Sequence, residues 1–393
     1  ARVAGEAVER GRRGRGATFL RARVSRIEGH FLGDALVRAG RGGVLVALMK
    51  FGAAIDAAVA SAMALDPRVV ILGEDVHAIR APLLARFGPE RVLAAPISEA
   101  AFLGAAAGAA MAGLRPVAEL MLVDFVGSCL DALLNQAAKV ADFTAGDWKV
   151  PLVVRAACGG GYGDGGQHEQ ALWGLLAGIP GLAVVVPSTP ADAHGLMISA
   201  LRHDGPVVFL EHKLLSEGWL EWLGRGGRDT VSFDVPEDGA LGEVTPGAEV
   251  PLGRAAVRRS GRDLTVVSLA VGVHRAIAAA AQLAGEGIDC EVLDLRTVRP
   301  LDRETIAASV GRTRRLLVVD EDYREFGLSG EVAAVALEAG LAPRSRQRSW
   351  DAKPMSRRRR SPGAISWMRT SKVKGSVPAK SISSRKRRAG FGP

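Results

Sequence analysis

From Phe51 onward, short apolar runs alternate with longer stretches in which apolar residues recur every three or four positions, a pattern that predicts strands interleaved with helices. The stretch FGAAIDAAVASAMALD (51–66) has helical spacing and stops before Pro67, and RVVILGED (68–75) reads as a buried strand running into a polar loop. Next comes PISEAAFLGAAAGAAMAGLRP (96–116), read as a helix of small residues. The pattern then predicts strands at 116–123, 151–156, 182–187 and 206–211, with helices near 128–143, 169–178 and 190–204. A glycine-dense loop fills 159–166. Between 216 and 262 the periodicity dissolves into Gly, Pro, Trp and charged residues, which reads as a linker with strand-like pieces such as TVSFDV. A second unit repeats the alternation, with strands at 264–270, 290–295 and 315–321 and helices at 273–286, 302–310 and 330–339. Alternation of this kind means mainly parallel sheets covered by helices, an α/β protein whose second domain is the smaller.

Composition refines the boundaries. The formal charge of +9 is unevenly placed: residues 1–48 carry +6 and residues 344–393 carry +15, which leaves −12 on 49–343. The expected organisation is a basic leader (1–48), a first domain (49–215), a linker (216–262), a second domain (263–343) and a basic tail (344–393) in which no packed element is expected. An acidic body between basic ends is not the footprint of a nucleic-acid-binding fold, which sets its basic residues on a folded face. Cys129, Cys158 and Cys290 are odd in number and form no CxxC pair, so neither a disulfide framework nor a zinc site is expected, and a reducing compartment follows. No apolar run approaches membrane length, and VLVALM (44–49) is short for a signal-peptide core.

One carboxylate stands out. Ser98 is placed to cap the small-residue helix and Glu99 falls in its first turn, where a negative charge suits the helix dipole. Gly104, Gly108 and Gly113 punctuate that helix, and an interior glycine costs roughly 1 kcal/mol relative to alanine, so close approach of another backbone is the expected reason for them. Burial at an apolar helix start is expected to raise the Glu99 pKa. A solvated Glu that merely complements the dipole is the plainer alternative.

Seven segments in order, GEDV (73–76), FGPERV (87–92), PISEAAFLGAAAGAAMAGLRPVAE (96–119), GGGYGDGGQHEQ (159–170), VVPSTPADAHGLM (185–197), LEHK (210–213) and DLRTVRPLD (294–302), are together similar to one family. The chain resembles the beta subunit of the thiamine-diphosphate-dependent component of 2-oxo acid dehydrogenases of the pyruvate, acetoin and branched-chain types, over about residues 49–342. The resemblance implies a pyrimidine-binding parallel-sheet domain followed by a smaller transketolase C-terminal-like domain. It implies that Glu99 hydrogen-bonds a ring nitrogen of the aminopyrimidine and so favours the tautomer that removes the thiazolium proton. His168 then matches a channel histidine acting as an acid toward the lipoyl group, although the next residue, often Ser in the family, is Glu169. Phe125 matches an aromatic packed on the pyrimidine, and Ile97 and Met121 match apolar pocket residues. Leu152 with Ala200, Leu201, His203 and Gly205 matches a loop that binds potassium through main-chain carbonyls.

The same resemblance implies a partner. Thiamine diphosphate is held through Mg²⁺ by a GDG motif and asparagine ligands that follow it. Gly163, Asp164 and Gly165 spell GDG, but the one asparagine, Asn135, precedes it. The diphosphate and Mg²⁺ are therefore expected to be held by an alpha subunit, usually in an α2β2 assembly, with a small 2-oxo acid as substrate and a lipoyl acyltransferase as acceptor. The implied location is the cytoplasm, or the mitochondrial matrix if the leader is a transit peptide. RIEGHFLGD (26–34) resembles a piece of an alpha subunit, and the Arg- and Ser-rich tail reads as a shifted frame in a GC-rich gene. The loop after GEDV lacks the family's paired glycines. The alternative function is an inactive, degenerate beta subunit whose basic tails hold nucleic acid or acidic partners nonspecifically.

Overall fold

The computed structural model describes residues 36–39, 45–160, 165–224, 240–341 and 365–369. The leader segment 26–34, Gly163 and Asp164 of the GDG triplet, and TVSFDV lie outside the described residues.

The chain opens with β1 (Leu36–Ala39) and β2 (Leu45–Lys50), then α1 (Phe51–Leu65), β3 (Val69–Glu74), α2 (Val76–Ile79), α3 (Ala81–Phe87), β4 (Val92–Ala95), α4 (Glu99–Met111) and β5 (Arg115–Leu122). After an irregular helical stretch come α5 (Val140–Phe143), β6 (Val153–Cys158), α6 (Trp173–Ala177), β7 (Ala183–Val185), α7 (Pro190–Arg202), β8 (Val207–His212) and α8 (Glu217–Gly224). The remainder is β9 (Leu241–Val244), β10 (Ala256–Arg259), β11 (Leu264–Ser268), α9 (Val271–Gly285), β12 (Cys290–Asp294), β13 (Thr297–Arg299), α10 (Arg303–Thr313), β14 (Leu316–Asp320), α11 (Leu328–Glu338) and β15 (Ile365–Arg369).

The larger sheet has the order β13–β7–β8–β6–β5–β3–β4, parallel throughout except for β13. Its central strands are apolar runs because helices cover both faces. On one side α1 lays down Phe51, Ile55, Ala58, Val59 and Met63, all buried at helical spacing. On the other, α4 buries Phe102, Leu103, Ala106, Ala107 and Ala110. Lys50 offers α1 no cap, so its first amides find one 165 residues away: the Glu217 carboxylate accepts from Gly52 N and Ala53 N, each at 2.8 Å. A buried ion network ties the layers together. Arg155 on β6 donates to Asp56 at 2.6 Å and to Glu211 at 2.8 Å, while Arg80 grips Glu119 at 2.8 and 3.0 Å. Burial alone would push the Asp56 carboxyl up, but Arg80 and Arg155 outweigh it and hold it below the usual range.

The second sheet runs β10–β12–β11–β14–β15, and a third, antiparallel, joins β1, β2 and β9. Three sequence expectations change here. The predicted helix at 128–143 is a 3₁₀ stretch (Val123–Cys129), a π-helical stretch (Ala132–Ala137) and the short α5. The supposed linker holds α8, β9 and β10, short pieces whose partners lie far off in sequence. The basic tail contributes β15, which pairs in parallel with β14; ISWMR is a strand-forming run amid Arg and Ser.

The two parallel sheets meet at the end of β14. Trp173 Nε1 donates to Asp320 Oδ1 at 3.0 Å and Gly174 N to Asp322 Oδ2 at 2.6 Å. Burial pushes the Asp320 carboxyl up to about 6. A raised folded-state pKa contributes stability that is full below about pH 3.8 and is lost as pH rises through about 6, about 3 kcal/mol in all. Asp320→Asn should therefore flatten the chain's stability between pH 5 and 7.5, roughly the upper half of that window. Urea melts at the two pH values check it, and an unchanged pH slope would contradict the assignment.

Candidate active site

Six parallel strands end at one edge of the larger sheet, the edge where open α/β sheets bind ligands. Residues of the recognisable segments gather there, Glu74 and Asp75 at the end of β3, Glu99 after β4, the glycine loop after β6 and Glu211 to Lys213 at the end of β8, and Asp124 and Phe125 join them after β5.

Glu99 stands half-buried at the first position of α4. Ser98 occupies the cap position, but its side chain makes no capping bond. No described residue donates to the Glu99 carboxylate, so both of its oxygens are available. Its charge is nevertheless felt nearby. Burial, then Asp75, then Glu99 push the Glu74 carboxyl up, and burial with Glu99 pushes the Cys129 thiol up to about 11. Cys129 lies four residues beyond Phe125, so Glu99 and the Phe125 turn face one another across the start of α4, which packs on that turn.

Phe125 and His168 meet edge to face with ring centroids 5.8 Å apart. The His168 ring has no hydrogen bond from a described residue. Met121 and Phe125 pack together on Leu122, Ala157 and Trp219. Ile97, by contrast, is 77% exposed and takes no part in that cluster. Only Gly fits at the root of the histidine loop: Gly159 has φ +89°, and a Cβ there would sit 2.0 Å from His212 Nε2.

The potassium-loop residues lie at the other edge, where β5, β6 and β8 begin. Arg115 Nη1 donates to the carbonyls of Leu201 at 2.9 Å and His203 at 3.1 Å, Val207 N takes the Leu152 carbonyl at 2.8 Å, and His203 N reaches that of Ala200 at 3.2 Å. A monovalent cation in this loop would share the Leu201 and His203 oxygens with the guanidinium. Magnesium has no cluster either: among the described residues no group of three His, Cys, Asp or Glu side chains could hold a metal. Asn135 sits in the π-helical stretch and donates to Asp131 at 2.7 Å.

The opposite face of α4 has no neighbour among the described residues. Ala101, Gly104, Ala105, Gly108 and Ala112 are exposed, and a Cβ on Gly104 or Gly108 would meet nothing within 4 Å. The close approach that the glycines imply is not made by any described residue of this chain.

Several residues that frame the site carry no chemistry visible in the sequence. Asp124 accepts from Gln170 N and Nε2, Lys213 Nζ donates to the His168 carbonyl, and Tyr323 reaches Gln170 from the second sheet. Gln170 and Lys213 fall inside the recognisable segments, which was the available signal; Tyr323 does not.

Comparison with known proteins agrees with this architecture. The transketolase pyrimidine-binding domain matches residues 48–217, and the transketolase C-terminal domain matches residues 253–360, past Pro343. The beta subunit of acetoin:2,6-dichlorophenolindophenol oxidoreductase from Cupriavidus necator is 41% identical over 312 residues, covering 73% of this chain and 86% of that protein. The 2-oxoisovalerate dehydrogenase beta subunit of Bacillus subtilis is 38% identical over 75% of this chain and 85% of that protein. The mitochondrial pyruvate dehydrogenase E1 component subunit beta-1 of Arabidopsis thaliana is 40% identical over 74% and 77%. Among solved structures, a split-gene transketolase in an inactive beta4 tetramer superposes with a TM-score of 0.58 at 25% identity, covering 74% of this chain and 85% of that one.

Proposed function

Because this chain belongs to the family of beta subunits of the thiamine-diphosphate-dependent 2-oxo acid dehydrogenases, we propose that it supplies the pyrimidine-side half of a decarboxylating active site that an alpha subunit completes. The observation that carries this reading is the unpartnered Glu99 carboxylate at the ligand-binding edge of the parallel sheet. Thiamine diphosphate, when bound, supplies the electron sink for the carbon–carbon bond that breaks as carbon dioxide leaves.

The rest is work for this chain's own side chains. Glu99 offers a carboxylate oxygen to a ring nitrogen and shares a proton with it. Phe125 and Met121 form an apolar wall that excludes water and sets the plane of the ring. His168, half-buried and edge-on to Phe125, holds a proton at an imidazole nitrogen for the acyl-accepting sulfur of a lipoyl group. Ile97 is exposed here and gains its cover from the companion chain.

Magnesium and the diphosphate belong to the alpha subunit in this reading, because the chain's one asparagine, Asn135, precedes the GDG triplet instead of following it. The bare small-residue face of α4 is the natural seat for close subunit contact in an α2β2 assembly. Potassium, held through main-chain carbonyls near Leu152, Ala200, Leu201, His203 and Gly205, would share the Leu201 and His203 oxygens with Arg115. The acceptor is a lipoyl acyltransferase, and the compartment is the cytoplasm or the mitochondrial matrix. No described helix is long and apolar enough to cross a membrane.

The test is reconstitution of the chain with an alpha subunit, thiamine diphosphate, Mg²⁺ and a free lipoyl domain, against a panel of small 2-oxo acids. Release of carbon dioxide coupled to acylation of the lipoyl domain is expected for at least one acid. Absence of turnover with every alpha subunit tried would favour the degenerate, noncatalytic alternative.

A further inference from the structure

We propose that Tyr323 and Gln170 are positioning residues, through which the end of β14 in the second sheet holds the His168 loop against the Phe125 wall. The inference deepens the reading above and rests on it for the role of His168.

The loop that runs from Gly159 to Gln170 is rich in glycine, and several of the contacts that fix its described residues come from outside it. At its root Gly159 lies flat on the His212 ring, where no Cβ would fit. Near its end Lys213 Nζ donates to the His168 carbonyl. At Gln170 three bonds converge: the backbone amide and Nε2 both donate to Asp124 Oδ1, at 3.1 and 3.0 Å, and Oε1 accepts from the Tyr323 hydroxyl at 2.9 Å. The Gln170 carbonyl closes the loop by accepting from Gly159 N at 2.9 Å.

Asp124 is the residue before Phe125, so Gln170 is bonded to the wall on which the His168 ring rests. Tyr323 anchors the far side of the same amide. Its amide group is thereby fixed in orientation: with Nε2 committed to Asp124, Oε1 must face the hydroxyl. The tyrosine is itself well aimed. Asp322 Oδ1 takes its backbone amide at 2.8 Å while Oδ2 takes Gly174 N, and the turn closes at Gly327, where a Cβ would lie 1.9 Å from the Tyr323 carbonyl. The neighbouring Glu321 is also fixed, between His212 at 2.5 Å and Arg275 at 2.7 Å. The His212 proton lies on Nε2, since Nδ1 accepts from Leu214 N. The segment 320–323 thus clamps both ends of the loop, at His212 beneath Gly159 and at Gln170.

A misplaced His168 should harm the transfer that needs its proton and spare the earlier bond cleavage. Tyr323→Phe removes one hydroxyl from a ring that is 48% exposed, so the fold is retained. In the complex reconstituted with an alpha subunit, acyl transfer to a lipoyl domain should fall about fivefold, the worth of one modest hydrogen bond. Reduction of 2,6-dichlorophenolindophenol, which needs no lipoyl group, should stay within about twofold. Hydrogen exchange in the peptide spanning 165–170 should quicken about fivefold in the same sample. Gln170→Ala, which removes both side-chain bonds and leaves the backbone amide on Asp124, should cost about thirtyfold in transfer.

Unchanged exchange and unchanged transfer in Tyr323→Phe would overturn the proposal, as would an equal fall in dye reduction. His168→Ala separates this from the underlying reading. If that variant transfers acyl groups normally, the role given to His168 is wrong; the exchange rates still decide whether Tyr323 holds the loop.

Discussion

Glu99→Gln should leave the chain folded and assembled while lowering turnover about a thousandfold, the upper part of what a positioned proton-sharing group contributes. In free energy that is about 4 kcal/mol of activation barrier. The same substitution should cost little stability. The carboxylate takes no bond from a described residue, so nothing buried is orphaned, and only its favourable place in the first turn of α4 is lost, about 0.3–1 kcal/mol. Removal of its charge should also let the Glu74 carboxyl and the Cys129 thiol fall toward their ordinary ranges, because Glu99 raises both. The thiol is the convenient reporter, through the pH dependence of its alkylation in the unfolding-resistant pH range. Turnover by the complex, a urea melt and thiol titration check the three parts together. A Glu99→Gln protein that keeps its turnover would remove Glu99 from the chemistry. One that loses turnover only because it unfolds would show the residue to be structural.

Much of the scaffold could be read from the residue pattern because it depends on local burial. The strands β3, β5, β6 and β8 are buried on both faces, so they appear as apolar runs broken mainly by the buried charges Glu119, Arg155 and Glu211, and α1 shows its buried side at helical spacing. What escaped depends on distant partners. β13 lies within the second unit in sequence yet pairs with β7 in the first sheet, and β9 pairs with β2 nearly two hundred residues upstream. Both are short edge strands whose own sequence carries little signal. The stretch after β5 looked like one helix because its spacing is helical. Instead Ser128 Oγ bonds back to the Phe125 carbonyl at 2.7 Å, and the turn tightens to 3₁₀ before loosening to π, an irregularity that sits beside the candidate site.

The site divides in the same way. Glu99 and His168 lie in segments whose order and spacing are distinctive, Phe125 lies between two of them, and each lies at the strand-terminal edge. Their supports were hidden: Asp124 and Gln170 are 46 residues apart, and Tyr323 is 153 residues from Gln170, separations at which a single sequence shows no pairing. The potassium loop shows the converse. Main-chain carbonyls could belong to any residue type, so the sequence pointed to a cation, and only the coordinates put the Arg115 guanidinium on those oxygens.

The second large effect concerns what one chain can do alone. With its anion-gripping half absent, the chain keeps a carboxylate, an aromatic wall and a histidine, groups that address one ring and leave a doubly charged diphosphate in water. Contacts to the ring alone should give binding in the millimolar range at best, about 4 kcal/mol. Joining an alpha subunit that holds the diphosphate through Mg²⁺ should tighten this at least a hundredfold, since both ends of one ligand are then engaged. The small residues of α4 should become protected from solvent in the same step.

Isothermal titration of thiamine diphosphate and Mg²⁺ into the purified chain, then into the chain mixed with an equal amount of alpha subunit, reads this directly. No measurable heat from the lone chain and micromolar binding by the pair, with one site for each alpha–beta couple, is the expected result. Tight, stoichiometric binding to the lone chain would contradict the shared site and return the whole cofactor to this polypeptide.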